Sequence, residues 1–438
     1  MINYPETLKE TLLSLIREVS ESPALFVKTP GCDFTRDRKL TFESVVRLII
    51  SMGGNSIYKE LLESHGYDEN TATTSAFVQQ RDKILPCFFE YLLHEFTKAH
   101  TEPLTYRGYR LFATDGSSMH VPTDPDDLET YCQARPDRRG YNLMYLTALF
   151  DLCNKLYTDA CAQPINGFSE NGAFIDMLKR SRIQGRAIII ADRNFESYNN
   201  FANIEQKGWN YVIRCKDVTS SSGILAGLNL PKGGEFDVTI HRILTRKSTN
   251  EVKSNPDLYK RIVSTSPFDF LDPHSNLFYP ITFRVVRFMI PDGSYQTVIT
   301  NLSQADFPPH ELMALYKMRW GIETSFRELK YAIGLTCFHS KRRERIVQEV
   351  FARIIMYNFA EMITLHVVIS NGDTKHAYQV NFTVAIHICR HFLRSLIFAP
   401  HCDIEALISR NVLPVRPGRQ SKRDIKTRSA VSFIYRVA

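Results

Sequence analysis

The stretch YRLFATDGS, Tyr109 to Ser117, decides the fold class because a short apolar run leads directly into an acidic turn. Residues 111–113 predict a buried strand that ends at Asp115. The stretch RAIIIADRNF has the same form and predicts a second buried strand, which ends at Asp192. Both predicted strands therefore stop at an aspartate, at the kind of sheet end where ligand sites form in α/β domains.

The residues between these two strands indicate a mixed α/β domain. YLTALFDLCNKLYTDACAQ has two apolar runs around an Asn154-Lys155 turn and predicts a β-hairpin, and NGAFIDMLKRSRI predicts a helix. The order strand, hairpin, helix, strand is typical of the mixed class. Taken singly, Asp115 and Asp192 are more often turn formers than ligands, since Asp-Gly is an ordinary turn signal.

The flanking regions have different patterns. The N-terminal region is predicted to be helical, with Thr41 as an N-cap, and alternating apolar residues predict a β-rich insertion that divides the core. The chain ends in a basic tail, Arg416 to Arg428, with six cations and one Asp, which is either a nucleic-acid contact or a solvated segment. The predicted regions are a helical N-terminal DNA-binding domain, 1–105; the two parts of the core, 106–216 and 306–370; the β-rich insertion, 217–305; and a helical C-terminal region, 371–438.

Composition limits the class of protein without selecting one. Of 438 residues, 44% are hydrophobic and 23% are charged, which suffices for two or three globular domains. The net charge of +7 permits a polyanionic partner without requiring one. Nine cysteines without a C-x-x-C pair indicate neither a zinc site nor a disulfide framework, so a cytoplasmic location is expected. The most apolar segment contains Arg353 and Glu361, and no membrane span is expected.

The stretch YKMRWGIETSFRELK predicts a helix that begins at Pro308-Pro309 and carries a polar face. At about 100° per residue, five polar side chains fall within roughly 80° of arc. They are Tyr316, Arg319, Glu323, Arg327 and Lys330. A solvated face with ion pairs between residues four apart is the simplest interpretation of this helix taken alone.

Glu323 can also be interpreted as a metal ligand when it is considered together with the two aspartates. Together with Asp115 and Asp192 it makes three hard oxygen ligands, the kind that Mg²⁺ prefers. Three crowded carboxylates repel one another unless a cation lies between them. A pair of Mg²⁺ ions about 3.5–4 Å apart would neutralise them and support an in-line phosphoryl displacement.

The sequence resembles the DDE transposases of bacterial insertion sequences, specifically the insertion-sequence-4 family. The family signature Y-x2-R-x3-E-x6-K is met by Tyr316, Arg319, Glu323 and Lys330. Four fixed residues would match by chance in roughly three of a thousand chains of this length. The signature is therefore a specific one.

Two further motifs carry the resemblance. DGS around Asp115 and DRNF around Asp192 are similar to the family's first and second acidic motifs. The long interval before Glu323 leaves room for the β-rich insertion that the family places ahead of its catalytic helix. Asn194 departs from the family pattern, in which glycine is commoner after the Asp-Arg pair, and this concerns only the local turn.

The resemblance implies an RNase H-like core in which Asp115, Asp192 and Glu323 form the catalytic, metal-binding triad. The implied cofactor is Mg²⁺, as two ions that Mn²⁺ can replace. The implied DNA contacts are Tyr316, Arg319, Arg327 and Lys330. The implied activity is that of a homodimer on double-stranded DNA, which binds terminal inverted repeats, cleaves them through a hairpin intermediate and joins the freed ends to target DNA.

Two other functions fit the same residues. One is a catalytically silent DNA-end-binding protein or inhibitor derived from a transposase, and the other is a nuclease that cleaves without joining. A hairpin intermediate needs an extruded base, for which Trp209 is a candidate, although a core tryptophan is the favoured interpretation. His120 and His339 are assigned supporting or surface roles because two-metal chemistry uses oxygen ligands first.

Overall fold

The structure is a computed structural model, and it describes most of the chain. The described residues are 4–36, 38–99, 102–133, 135, 137, 140–367, 377–395 and 403–415. The predicted basic tail, Arg416 to Arg428, lies outside the described residues.

The N-terminal region is helical, as predicted. Its helices are α1 (Tyr4–Glu21), α2 (Phe42–Ser51), α3 (Ile57–Ser64), α4 (Thr74–Arg81) and α5 (Cys87–Lys98). Thr41 caps α2, because its side chain accepts a hydrogen bond from the backbone N–H of Ser44. Val45, Leu48 and Ile49 recur at helical spacing and are buried in the core. The sequence signals for this helix are confirmed.

A ten-stranded mixed sheet forms the centre of the molecule and confirms the α/β class. Its strands are β1 (Arg110–Val121), β2 (Tyr131–Cys132), β3 (Tyr141–Asp151), β4 (Leu156–Pro164), β5 (Ala187–Ala191), β6 (Asn210–Arg214), β7 (Phe236–Thr245), β8 (Tyr259–Arg261), β9 (Phe278–Met289) and β10 (Tyr295–Thr300). The spatial order is β2-β3-β1-β5-β6-β10-β9-β7-β8, with β4 paired to β3. β1, β5 and β6 run parallel, while β3 and β4 form the predicted antiparallel hairpin.

Helices cover both faces of this sheet. They are α6 (Glu170–Arg180), α7 (Tyr198–Gln206), α8 (Asn250–Ser254), α9 (Pro309–Met318), α10 (Trp320–Tyr331), α11 (Arg343–Thr364), α12 (Phe382–Arg394) and α13 (Ile404–Ser409). The short strands β11 (Tyr378–Val380) and β12 (Val412–Pro414) pair separately. α6 and α7 pack on one face, and α9, α10 and α11 pack on the other. In the described ranges, no helix has the length and apolar character needed to cross a membrane.

The β-rich segment predicted as an insertion continues the core sheet. β10 pairs antiparallel with β6, and β9 and β7 follow in order. The predicted turn at 291–294 joins β9 to β10. The apolar residues of β7 and β9 contribute to the same buried cluster as α6 and α7. Hydrogen bonding therefore runs without interruption from the core strands into this segment, and the division into five domains stays a prediction.

Two predicted boundaries are wrong. β1 does not end at Asp115 but continues to Val121, because β3 pairs with it along that whole length. The predicted single helix is two helices, α9 and α10, that meet at Arg319. There the backbone N–H of Arg319 bonds to the carbonyl of Tyr316, and that of Ile322 bonds to the carbonyl of Arg319. These three-residue bonds interrupt the four-residue ladder of a regular α-helix.

A buried ion-pair network ties the N-terminal helices to α11. Arg81 Nη1 lies 2.8 Å from Glu349 Oε1, and both side chains are only 1% exposed. His339 and Arg353 bind the other carboxylate oxygen of Glu349. Burial by itself would raise the pKa of Glu349, but these cations outweigh it and hold the pKa far below its usual range. His339 therefore has a structural role in this buried network.

Candidate active site

Asp115 and Asp192 lie side by side where the parallel pairing of β1 and β5 ends. The last paired residues are Thr114 and Ala191, and the two aspartates follow them on adjacent strands. Adjacent strands are about 4.8 Å apart, so the two carboxylates share one end of the sheet. Asp192 also caps the short 3₁₀ turn that follows β5, where its Oδ1 accepts a hydrogen bond from the backbone N–H of Asn194.

Glu323 reaches the same place from α10, which packs against β1. Arg319 lies between the two carboxylates, with Nη2 2.5 Å from Glu323 Oε1 and Nη1 3.4 Å from Asp115 Oδ2. Gly321 allows this approach, since a Cβ there would lie 2.9 Å from a methyl carbon of Leu152 in the hairpin. The structure thus brings all three predicted acidic residues to one site.

Another carboxylate, that of Glu170, lies near this site beside Gly116, and sequence reasoning missed it. Glu170 is the first residue of α6, and its Oε1 accepts a hydrogen bond from the Tyr145 hydroxyl at 3.2 Å. The signal in the sequence was Ser169 before an apolar run, which predicts the start of a helix. It does not predict which residues the N-terminus of that helix contacts. We call Asp115, Asp192 and Glu323 the acidic site.

Burial, with a smaller contribution from neighbouring carboxylates, raises the pKa values of Asp115 and Glu170. Burial raises the pKa of Asp115 to about 6, and the charges of Asp192 and Glu323 add to the shift against the opposing Gly116 amide and Arg319. Burial also raises the pKa of Glu170 to about 7, with further contributions from Asp115 and Asp192. For Asp115, the Gly116 amide and Arg319 therefore do not offset the effect of burial.

The predicted DNA-contacting residues occupy three different environments. Lys330 Nζ donates to Ser117 Oγ at 2.6 Å and to the Ser118 carbonyl at 2.9 Å, on the stretch of β1 that follows Asp115. Arg327 is exposed on the outer face of α10. Tyr316 is 6% exposed, and its hydroxyl is buried without a hydrogen-bond partner among the described residues. Of this set, Arg319 contacts the acidic site directly, and Lys330 binds β1 two and three residues beyond Asp115.

The two tryptophans differ in exposure. Trp209 is 3% exposed and stacks on Phe112 at a centroid distance of 5.6 Å, so it is the core residue favoured by the sequence. Trp320 is 58% exposed, and the Arg319 guanidinium carbon lies 5.6 Å from its ring centroid. The sequence analysis did not identify Trp320 as a candidate, although it directly follows Arg319 in the sequence.

A second group of potential metal ligands lies on other elements. Glu90 and His94 on α5 and Asp159 on β4 each place a donor atom within 4.8 Å of the others, and in the described part of the chain this is the one group of three that does so. Arg180 Nη1 lies 2.6 Å from Glu90 Oε1, and its Nη2 lies 2.7 Å from Asp159 Oδ1. We call these four residues the Arg180 cluster. The acidic site is less compact, since the Arg319 guanidinium occupies the space between Asp115 and Glu323.

The molecule is an α/β protein with a large mixed sheet. Its acidic site lies where the parallel pairing of β1 and β5 ends. The sequence matches the family described as Transposase DDE domain over residues 106–359, a range that includes the sheet, α6 and α10. This match spans more than half of the chain. The chain belongs to the family of DDE transposases.

Comparisons with individual proteins add nothing to the family assignment. No curated protein matches the sequence significantly. Among solved structures, the chain is similar to a cryo-EM structure of the piggyBac transposase synaptic complex with hairpin DNA. That similarity has a TM-score of 0.43 and 12% sequence identity, and it covers 95% of this chain and 87% of the other.

Proposed function

We propose that this chain is a DNA transposase of the insertion-sequence-4 family, which binds the terminal inverted repeats of its element, cleaves them and joins them to target DNA. The observation that carries the proposal is the meeting of Asp115, Asp192 and Glu323 at one end of the sheet, in a chain of the DDE family. The Tyr-Arg-Glu-Lys signature supports the assignment to insertion-sequence-4. The strand order β4-β3-β1-β5-β6, with α6 between β4 and β5 in the chain, supports an RNase H-like core.

The donor set of the acidic site fits a divalent metal ion with oxygen ligands. Asp115, Asp192 and Glu323 supply carboxylates, which Mg²⁺ and Mn²⁺ prefer. The raised pKa of Asp115 supports a site that lacks positive charge. Two bound ions supply activation of a water or 3′-hydroxyl nucleophile and stabilisation of the leaving oxygen.

The cationic residues beside the acidic site are assigned to DNA. Arg319 offers a planar fork and Lys330 a point charge to backbone phosphate, and the exposed Arg327 extends this surface along α10. Trp320 offers an exposed ring on which a base extruded at a hairpin end can stack. The buried Tyr316 ring lies 5.8 Å from the Arg319 guanidinium carbon and supports that side chain from behind.

The proposed reaction takes place in a homodimer on double-stranded DNA. Two copies hold two transposon ends, so that neither end is cut in isolation. The proposed route of cleavage is a hairpin intermediate, which requires distortion of the DNA end and extrusion of a base.

A DNA cleavage assay with Glu323→Gln tests the proposal. The substrate is a fragment that carries the inverted repeats found beside the gene, incubated with Mg²⁺ or Mn²⁺. Loss of one ligand should reduce cleavage by at least about 100-fold, because even partners of metal ligands contribute 10–100-fold. Binding of the fragment in a gel-shift assay should persist.

Glu328→Gln is the matched control, since Glu328 lies on the same helix but accepts its hydrogen bond from the Tyr357 hydroxyl at 3.1 Å. It should cleave like the wild type. Wild-type protein that binds the repeats but never cleaves them would contradict the proposal and support the catalytically silent end-binding protein.

A further inference from the structure

We infer that Arg214 is a further DNA-binding residue, which holds a backbone phosphate of the strand that passes over the acidic site. This inference rests on the proposed function, and it names a contact that the sequence motifs do not contain. Arg214 is the last residue of β6, and its side chain is exposed.

The first observation is the position of Arg214 along the edge of the sheet. β1, β5 and β6 run parallel, so their carboxyl ends meet at one edge. Ala191 of β5 pairs with Ile213 of β6. The residues that follow these two on their strands are Asp192 and Arg214. Since adjacent strands are about 4.8 Å apart, Arg214 follows Asp192 along this edge as Asp192 follows Asp115.

The second observation is the face of the sheet to which Arg214 belongs. Side chains alternate between the two faces of a strand, so each edge residue shares a face with the residue two positions before it. Ile190 and Val212 belong to the buried cluster that contains residues of α9, and Ala113 belongs to the one that contains residues of α10. The alternation therefore places Arg214 on the same face as the two aspartates of the acidic site.

The charge of Arg214 also reaches the tyrosine of the signature. Burial raises the pKa of the Tyr316 hydroxyl, whereas the positive charges of Arg319 and of Arg214 lower it. Tyr316 is therefore close to two guanidinium groups, the one that contacts the acidic site and the one at the end of β6. This agrees with the face that the strand alternation gives for Arg214.

The guanidinium group of Arg214 is available to a ligand. Across the part of the chain that the structure describes, it forms no hydrogen bond or ion pair. Arg284 and Arg287 on β9 each pair with an aspartate instead. The two cations of the signature are also engaged, because Arg319 binds two carboxylates of the acidic site and Lys330 donates to β1.

A phosphate diester is the ligand that fits this position. The planar fork of arginine matches the geometry of phosphate oxygens and can bind two of them at once. Carboxylates repel a polyanion, and a cation beside them reduces that repulsion. A DNA strand whose scissile phosphate lies at the acidic site can extend along the same sheet edge, where Arg214 meets its backbone.

Arg261 provides a matched control in the same molecule. It is the last residue of β8 and is exposed, like Arg214 at the end of β6. β8 lies at the far end of the strand order, away from β1 and β5. Replacing Arg261 removes the same charged group from the same kind of strand position at a distance from the acidic site.

The test is binding of the full-length protein to a fluorescent fragment that carries the inverted repeats, measured by anisotropy in EDTA over a series of salt concentrations. Arg214→Gln should bind roughly 10-fold more weakly, because it loses a hydrogen bond between charged groups. Loss of one phosphate contact should also reduce the slope of log K against log salt concentration by about 0.9. Arg261→Gln should keep the wild-type slope, and so should Arg214→Lys, which retains the charge.

A second arm identifies the source of the phosphate. The complex with the repeat fragment is formed first, and binding of an unrelated fluorescent duplex to that complex is then measured. A smaller slope for Arg214→Gln in the first arm assigns the phosphate to the transposon end. A smaller slope in the second arm alone assigns it to target DNA.

The cleavage assay with Glu323→Gln separates two kinds of failure. If that variant loses the cleavage activity of the wild type while Arg214→Gln keeps the wild-type slope and affinity in both arms, the inference about Arg214 is overturned and the proposed function stands. If the wild type neither binds the repeats nor cleaves them, the proposed function fails, and the inference about Arg214 fails with it.

Discussion

The Arg180 cluster and the acidic site contain similar residues, yet their charges are balanced in opposite ways. In the Arg180 cluster, burial alone would raise the pKa of Asp159, but hydrogen bonds and charge from His94 and Arg180 outweigh it and lower the pKa. In the acidic site, the pKa of Asp115 rises to about 6. The more compact group is thus the neutralised one. The partners of Asp159 offset its burial, whereas the partners of Asp115 do not.

The largest expected effect concerns catalysis. Asp115→Asn should reduce Mg²⁺-dependent cleavage of a repeat-bearing fragment by at least about 100-fold, because it removes a proposed metal ligand. Asp159→Asn should cleave at a rate close to that of the wild type at a temperature where both are folded. A single-turnover cleavage assay on both variants measures the contrast, and equal losses in the two would remove the distinction between the clusters.

The next effect concerns stability at neutral pH. Asp159→Asn should lower the free energy of unfolding by about 1–3 kcal/mol, because the 5% exposed carboxylate accepts a charged hydrogen bond from Arg180 and a further hydrogen bond from His94. Asp115→Asn in metal-free buffer should leave stability unchanged or raise it, since it relieves repulsion. Urea denaturation in the presence of EDTA compares them. A destabilised Asp115→Asn beside an unaffected Asp159→Asn would reverse the interpretation.

The smallest effect is a pH dependence with opposite signs. The folded pKa of Asp115, about 6, exceeds its ordinary value of 3.8. Its penalty is therefore absent at pH values below the ordinary pKa, grows as pH rises through that value and is complete above about 6. In metal-free protein this group should cost on the order of 1 kcal/mol between pH 4 and 7.

Asp159, whose folded pKa is lowered, contributes stability at neutral pH that is lost as pH falls through its folded pKa. Melting temperatures of the wild type and of each variant across this pH range give the two slopes. Asp115→Asn should remove the part of the profile in which stability falls as pH rises. Asp159→Asn should remove the part in which stability increases with pH. Variants with the same pH profile as the wild type would show that neither carboxylate titrates as stated.

Local signals in the sequence were sufficient for several parts of the fold. The N-cap at Thr41, the hairpin around Asn154 and the end of β5 at Asp192 depend on residues within a few positions of each other. Such features depend on backbone preference and local hydrogen bonds, which a sequence pattern contains directly. The mixed α/β class followed from their order.

The features that sequence reasoning missed depend on distant partners. β1 extends beyond Asp115 because β3 pairs with it, and nothing local in β1 specifies that length. Glu170 lies near the acidic site only because α6 starts beside Gly116. The break at Arg319 lies in a stretch without proline, so helical spacing continued smoothly through it. Tertiary packing decides each of these points.

Arg319 makes occupancy of the acidic site a competition between two kinds of cation. Under the proposed function, Asp115 and Glu323 would hold a divalent ion only if they exchanged the Arg319 guanidinium for it. Arg319, released from both carboxylates, would then be available to bind a backbone phosphate. Binding of metal and binding of nucleic acid would therefore be linked through this one side chain.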